Sequence, residues 1–259
     1  LPASEFPELD DLGEVWRLSL PENQLKRLLD STAFAMANQD VRYYLNGMLL
    51  EVTAEGLRAV ATDGHRLVLA FYPEALNHLE NNRQIIIPRK GVLELARLLR
   101  ADSQAAVQLE ISQNHLRVQL DNLRLTTKLI DGRYPDYRAA VPAGGQIQVD
   151  LDRKAFKDVL NRVAILCNDK FRGVRLTLRN NLLQVQAHNP EQEVASDELD
   201  VAYSGADFSI GFNVTYLLDA VNHLDADTLR LHCNTSETSA LLTDPLDSSV
   251  RNVIMPIRL

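Results

Sequence analysis

Six histidines, two cysteines and a few carboxylates beside turn residues are the side chains of this 259-residue chain that could do chemistry. The histidines are His65, His78, His115, His188, His223 and His232, and no two of them are four residues apart. Neither Cys167 nor Cys233 has a partner two positions away, so the spacing does not describe a zinc site. Asp63 and His65 can be written as an acid–base pair. They flank Gly64, however, and an Asp-Gly step between apolar runs reads first as a hairpin turn. Asp131 and Asp136 can be written as paired carboxylates, but with Gly132 and Pro135 between them capping of a turn is the simpler role. Cys167 near a helix end could be a thiol of lowered pKa or a small buried side chain. No G-x-S-x-G elbow is present, and among only 11 glycines the Gly144-Gly145 pair stands alone without a phosphate loop. Enzyme chemistry therefore has no supported motif, and a hydrolase using Asp63 and His65 is the last of three readings.

Charge offers a different kind of site. The chain has 27 Lys+Arg against 35 Asp+Glu, a formal charge of −8, which argues against a uniformly basic coat for nucleic acid. The acid is unevenly spread. Arg89, Lys90, Arg97 and Arg100 outnumber Glu94 around one expected helix. Arg153, Lys154, Lys157, Arg162, Lys170 and Arg172 outnumber Asp152, Asp158 and Asp169 around another. On charge alone the pattern reads first as solvated helix faces, and a basic concave surface turned toward phosphates is the functional alternative. Gln39, Tyr43 and Tyr44 lie near Arg42, where the aromatics could stack on bases or simply pack.

The elements that would position these groups come in a repeated order. Hydrophobic residues make up 46% and charged residues 24%, ordinary for a globular protein. No apolar run reaches the roughly 18 residues of a membrane span. The chain opens on Leu1-Pro2-Ala3-Ser4-Glu5, neither a Met start nor a signal peptide, and residues 1–14 read as a linker in a piece of something longer. Two cysteines make no disulfide framework, so a cytoplasmic location is expected.

Val15–Leu20 reads as a strand, with Pro21 in the first turn of a helix carrying Leu25, Leu28, Leu29 and Ala33. Strands follow at Met48–Val52, Leu57–Ala61, His65–Phe71 and Ile85–Pro88, then a helix from Val92 to Leu99 and strands at Val107–Ile111, Leu116–Leu120 and Leu123–Ile130. Leu20, Leu25, Leu28, Leu29 and Ala33 then recur, at constant offset, as Leu151, Phe156, Val159, Leu160 and Ala164. Gly47–Leu50 recurs as Gly173–Leu176, and Leu57–Ala61 as Leu183–Ala187. A helix at Val214–Leu224 and strands at Leu229–His232, Ser239–Leu242 and Val250–Met255 complete the second copy. We read two homologous α+β domains of roughly 120 residues, 15–137 and 138–259, each with two helices on antiparallel sheets and joined by the turn-rich segment Asp131–Gln146.

At this point the sequence resembles the bacterial DNA polymerase III β subunit, or sliding clamp, family. The resemblance is carried by Gln39–Leu49, Val60–Leu67, Pro88–Gly91, Lys128–Tyr137, Lys170–Leu176, Asn189–Glu193, Tyr203–Ala206 and Met255–Leu259, eight motifs in the right order over nearly the whole chain. It implies the second and third of three clamp domains, preceded by a linker from a first domain. It implies no catalytic residue, no cofactor and no metal. The implied function is to tether the polymerase to duplex DNA, which two subunits encircle head to tail. The implied partners are the polymerase III α subunit, the clamp-loader δ subunit and other proteins with a short clamp-binding motif. They would bind a groove between the two domains.

Carried over by position, the groove is lined by Leu45, Thr62, Gly64, His65, Arg66, Leu67, Pro135, Ser239, Val253, Ile254, Met255, Pro256 and Ile257. Ala139 and Ala140 stand where the family often has larger side chains, so its shape differs there. Burying two Leu or Phe anchors contributes about 3–6 kcal/mol. After ordering of the peptide this leaves roughly micromolar affinity or weaker. Gln39, Tyr43, Tyr44, Arg89 and Lys90 match DNA-facing positions, and Ile165 and Leu166 match the subunit interface. The full-length family protein is a homodimer, while a fragment of two domains is expected to be monomeric. A stand-alone interaction module built from two repeats, without a role on DNA, is the second reading.

Overall fold

A computed structural model describes residues 12–74, 82–121, 123–167 and 172–258 of the chain. The expected leading linker falls almost entirely outside the described residues, as do His78, Lys170, Phe171 and Leu259. In the first half, β1 (Trp16–Pro21) leads into α1 (Glu22–Thr32). There follow β2 (Gly47–Thr53), β3 (Gly56–Thr62), β4 (Arg66–Pro73), β5 (Arg83–Pro88), α2 (Arg89–Leu98), β6 (Ala106–Ile111), β7 (His115–Leu120) and β8 (Leu123–Lys128). The second half repeats this order. It runs β9 (Ile147–Asp152), α3 (Arg153–Ala164), β10 (Gly173–Arg179), β11 (Leu182–His188), β12 (Val194–Asp200), β13 (Phe208–Asn213), α4 (Val214–His223), β14 (Thr228–Cys233), β15 (Ala240–Thr243) and β16 (Val250–Ile254).

The repeat extends to topology. One four-stranded sheet has the order β1-β6-β7-β8, and the other β12-β11-β10-β13. The remaining strands form a single eight-stranded sheet, β5-β2-β3-β4-β16-β15-β14-β9. Its two halves meet where β4 pairs antiparallel with β16, from Val250↔Ala70 to Ile254↔Arg66. Alternation divides this sheet into two faces. Met48, Leu50, Ala59, Val68, Ala70, Val250 and Ile254 point into the main core beneath the helices. Leu49, Val60, Leu67, Leu69, Leu241 and Val253 form a second cluster on the opposite face.

Three details differ from the sequence expectation. Pro21 is the last residue of β1 and the residue before α1, with ψ at 139°, rather than a member of the first turn. Strands β12 and β13 were not expected. At β12, Val-Ala-Ser-Asp-Glu-Leu-Asp buries only Leu199 fully, so an edge strand held by its backbone ladder shows no apolar alternation. At β13, Phe208, Ile210 and Phe212 do alternate, a signal that was present. Finally, the joining segment is more than a turn-rich linker. Tyr134 and Tyr137 are buried in the second cluster, and residues Tyr137–Ala140 form a short 3-10 turn. No helix among the described residues is long and apolar enough to cross a membrane.

Candidate functional site: the end of the inter-lobe seam

The β4–β16 ladder stops at Arg66 and Ile254, and the two chains diverge from there. On one side is the β3–β4 turn. The Asp63 carboxylate accepts from the backbone N–H groups of His65 and Arg66, at 2.9 and 3.0 Å, which fixes the bend. Gly64 has a φ of 89°, favourable for glycine, and a Cβ there would sit 2.8 Å from the Arg42 guanidinium. On the other side is the tail. The Met255 N–H donates to the His65 carbonyl (2.9 Å), and the Ile257 N–H donates to the Gly211 carbonyl of β13 (2.9 Å). The glycine-histidine bend and the carboxyl-terminal segment are thus joined directly by backbone.

The expected groove residues divide into layers. Leu45, Thr62, Leu67 and Val253 are buried, and Leu45, Leu67 and Val253 belong to the second cluster with Tyr134. Met255 and Ile257 are 40% and 38% exposed, two apolar side chains close together on the tail. His65 and Pro135 are exposed, while Ser239 and Pro256 are half-buried. Ile254 departs from the set, because strand alternation turns it into the main core under the helices.

Arg66 also turns toward the helices and ties the halves together. Its Nε donates to Asp63 (3.1 Å), an Nη donates to Asp219 of α4, and the other donates to the Phe34 carbonyl (2.9 Å). Its guanidinium lies 4.6 Å from the Tyr216 ring centroid and 5.3 Å from that of Phe34. Tyr216 stacks on His65 at 6.5 Å, which adds to the site a residue the sequence reading missed. The available signal was phase: Val214, Leu217, Ala220 and Val221 are the buried positions of α4, and Tyr216 falls outside that set. Arg42 was read only as a neighbour of stacking aromatics. Its Nη2 donates to the Asp63 carbonyl (3.1 Å), and its other bonds go to Asp40.

Asp63 and His65 make no side-chain pair. The Asp63 carboxylate is engaged by backbone N–H groups and Arg66, while the His65 ring faces Tyr216. Among the described residues no group of three or more His, Cys, Asp or Glu is placed to hold a metal ion. Burial raises the Cys167 thiol pKa, the direction of an inert rather than a reactive cysteine.

The expected DNA-facing residues lie elsewhere. Gln39 (φ 58°), Tyr43 and Lys90 are exposed, and Tyr43 meets Tyr44 edge to face at 5.7 Å. Arg89 is half-buried at the start of α2 and donates to the Met36 carbonyl (3.1 Å). Ile165, 83% exposed, and the half-buried Leu166 follow α3, which packs beside the edge strand β12.

The sequence and the fold both have close counterparts. The family model for the DNA polymerase III β subunit, central domain, matches residues 19–136, and that for its C-terminal domain matches residues 138–258. A β sliding clamp of Pseudomonas putida is 46% identical over all 259 residues, which span 70% of that protein. The Escherichia coli K12 β sliding clamp is 44% identical with the same coverage. The crystal structure of the Pseudomonas aeruginosa DNA polymerase III β subunit superposes with a TM-score of 0.95 at 45% identity, over 100% of this chain and 70% of that one. A P. aeruginosa sliding clamp solved bound to griselimycin superposes at 0.94, with the same identity and coverage. Two consecutive domain matches, near half identity to named clamps over every residue and the shared fold establish that the chain belongs to the DNA polymerase III β subunit, or β sliding clamp, family.

Proposed function

We propose that the chain serves as the partner-binding part of a replication clamp. It tethers DNA polymerase III and other motif-bearing proteins to duplex DNA and does no chemistry itself. The observation that carries the reading is the Met255–His65 backbone bond at the end of the seam. It sets two exposed apolar side chains, Met255 and Ile257, beside the bend and just past the paired, buried Leu67 and Val253. In this reading residues 15–137 and 138–259 are the two clamp domains. The groove between them receives a short peptide from the polymerase α subunit, the clamp-loader δ subunit or another motif-bearing partner. Tethering then works by effective concentration: a partner held by a weak anchor on a ring stays near the primer end.

The helices supply the polarity that a DNA-facing surface needs. α3 carries Arg153, Lys154, Lys157 and Arg162 against Asp158, and α2 carries Arg89, Lys90 and Arg97 against Glu94, in a chain of charge −8. Lys90, Arg89, Gln39, Tyr43 and Tyr44 are the proposed contacts. The β4–β16 joint is head to tail, and β12 and β8, the counterparts of β4 and β16 in the repeat, lie at sheet edges. A heterologous joint of this kind can repeat until a ring closes. We assign Ile165 and Leu166, beside β12, to such a contact in the homodimer, which a polypeptide of these 259 residues alone does not form.

The test is a titration of a labelled peptide of the Gln-Leu-x-Leu-Phe type against the chain and against a form lacking residues 255–259. Roughly micromolar binding that the truncation weakens at least tenfold supports the reading. Equal binding by both forms removes the groove from it. Gel filtration complements this, since a closed ring formed by the 259 residues would contradict the assembly proposed.

A further inference from the structure

The sheet face that carries Leu67 and Val253 does not end with them. Two residues along β4 lies Leu69, and two more bring Phe71; opposite Leu69 on β16 is Arg251. Here the sheet, the β2–β3 turn, the inter-lobe segment and the β15–β16 turn enclose a cleft of about 880 Å³. That is the size of pocket that holds a drug-sized ligand or a few residues of peptide, at a domain junction where such pockets concentrate.

Leu69, Phe71, Val141 and Pro142 give the cleft an apolar floor, and Arg58, Arg138 and Arg251 give it three guanidinium groups. The acids on its lining are Glu55 and Asp247. Glu55 is paired with Arg58 at 2.8 Å, and Asp247 is drawn off by Arg27 at 2.6 Å. Arg138 uses a single nitrogen, Nη2, for both of its bonds to Glu51, and 55% of its side chain is exposed. Arg251 donates to the Ser248 carbonyl (3.3 Å), and among the described residues no carboxylate lies within ion-pair distance of it. Arg138 and Arg58 are taken up by Glu51 and Glu55, and Asp247 by Arg27, so Arg251 is the lining guanidinium left without a carboxylate partner among the described residues, a local positive charge with donor capacity to spare in a chain of charge −8.

We propose that this cleft is a second docking site, which receives an acidic stretch flanking the apolar anchor of a peptide partner. The proposal rests on the reading of the seam's end as the anchor site. Continuity and charge argue for that occupant. From Leu67 to Phe71 is four strand residues, about 13 Å, a gap that four or five extended residues span. The cleft offers carboxylates the planar, multi-donor geometry of guanidinium. Each such contact at a half-exposed rim is weak, so its effect is to select among partners that share an anchor rather than to hold them alone.

Fluorescence anisotropy with three peptides tests this. One carries the Gln-Leu-x-Leu-Phe anchor alone, and two carry it with four aspartates on the amino- or carboxyl-terminal flank. One acidic flank is expected to tighten binding about three- to tenfold at low salt, an advantage lost at about 0.5 M salt. Arg251→Glu should abolish that advantage and leave anchor-only affinity unchanged. No gain from either flank, or a gain that survives Arg251→Glu, overturns the proposal. Failure of the anchor peptide to bind overturns the anchor reading alone. The cleft is then judged by the amide NMR shifts of Ser248, Ser249 and Arg251 on adding tetra-aspartate: shifts there sustain it as an acidic-segment site, and their absence overturns it. A single-stranded oligonucleotide that displaces the acidic peptide from these residues, and binds more tightly, overturns it in favour of a phosphate backbone.

Discussion

Glu51→Gln is expected to release the segment that joins the two lobes. Glu51 is 1% exposed in the middle of β2, on the face opposite the helices. A carboxylate there is costly unless fully partnered. Its partners come from the joining segment and the neighbouring strands. The Tyr137 hydroxyl donates to Oε2 (2.6 Å), Arg138 Nη2 donates to both oxygens (2.8 and 2.7 Å), and Gln84 Nε2 donates to Oε1 (2.7 Å). Arg58 adds a cation at 3.7 Å. Burial alone would push the Glu51 pKa up. The bonds from Tyr137, Gln84 and Arg138 outweigh it and hold the carboxyl below its ordinary value. An amide keeps the volume, but turns an N–H2 group toward donors and removes the charge. The charge removed is the buried one and Arg138 stays 55% exposed, so the loss is that of hydrogen bonds to a charged acceptor, about 2–3 kcal/mol. Tyr137→Phe removes one bond to a charged acceptor and should cost about 1.5–3 kcal/mol. Because both act through one contact, the double variant should lose clearly less than the sum. Urea denaturation gives the energies, and hydrogen exchange locates them. Amides of residues 138–141 should lose protection in Glu51→Gln while those of β14 keep theirs. A loss below about 1 kcal/mol, or exchange unchanged at 138–141, would refute the argument.

Three further perturbations probe the seam and the first lobe. Asn252, 1% exposed on β16, has no hydrogen-bond partner for its side-chain oxygen or nitrogen among the described residues. Asn252→Leu should therefore stabilise by about 1–3 kcal/mol, seen as a rise in Tm of several degrees; a fall would show that the amide is satisfied in solution. Arg66→Ala strips partners from Asp63 and Asp219 at once and should cost about 2–4 kcal/mol, with calorimetry expected to broaden or split as the halves uncouple; an unchanged single transition counts against Arg66 as a bridge. The side-chain bonds from Arg100 hold the buried Glu22 carboxyl down to about 2, from an ordinary 4.5. Its stabilisation is therefore complete above about pH 4.5 and fades as pH falls toward 2. Glu22→Gln should flatten that acid limb of a urea-midpoint profile, and a parallel profile would dismiss the pair.

What could be read in the sequence is what local periodicity encodes. Helices α1 to α4 follow stripes such as Leu25-Leu28-Leu29 and Phe156-Val159-Leu160, which must bury together whatever the tertiary context. The duplication was legible because the same stripes recur with the same strands around them. Strand β12 was not, since an edge strand takes its order from backbone pairing with β11, which leaves little trace in side-chain type. The bend at Asp63-Gly64 was visible as turn chemistry, but its meeting with Met255 lies 190 positions away in the chain and is set by the β4–β16 register. Tyr216 and Asp219 were hidden for the same reason: only the crossing of α4 over the seam brings them to His65 and Arg66. Glu51 falls within the strand expected at Met48–Val52, with no local feature that marks it out. Its burial follows from Tyr137 and Arg138 folding back over β2, a long-range event no local pattern announces.

The position of the proposed groove follows from how the joint ends. Along β4 and β16 the backbone is saturated from Val250 to Ile254, so no partner strand can enter there. Past Ile254 the tail is held by two backbone bonds, at Met255 and Ile257, and presents their side chains to solvent. A segment fixed at two points is positioned without being rigid, and Met adds further adaptability. Such a wall can fit several apolar anchors at similar cost, which favours exchange among partners over tight selection of one. Both walls also belong to one chain. The entropy of bringing them together is met once in folding and not again at each binding event. At the edge strand β12 the equivalent joint would depend on a second molecule and hence on its concentration. In the proposed ring, a peptide site built there would open whenever the ring did. Placed at the intrachain joint, it persists in every assembly state. Peptide affinity should therefore be independent of protein concentration across the range in which a full-length clamp dissociates, and an affinity that tracked dissociation would place the site at the subunit contact instead.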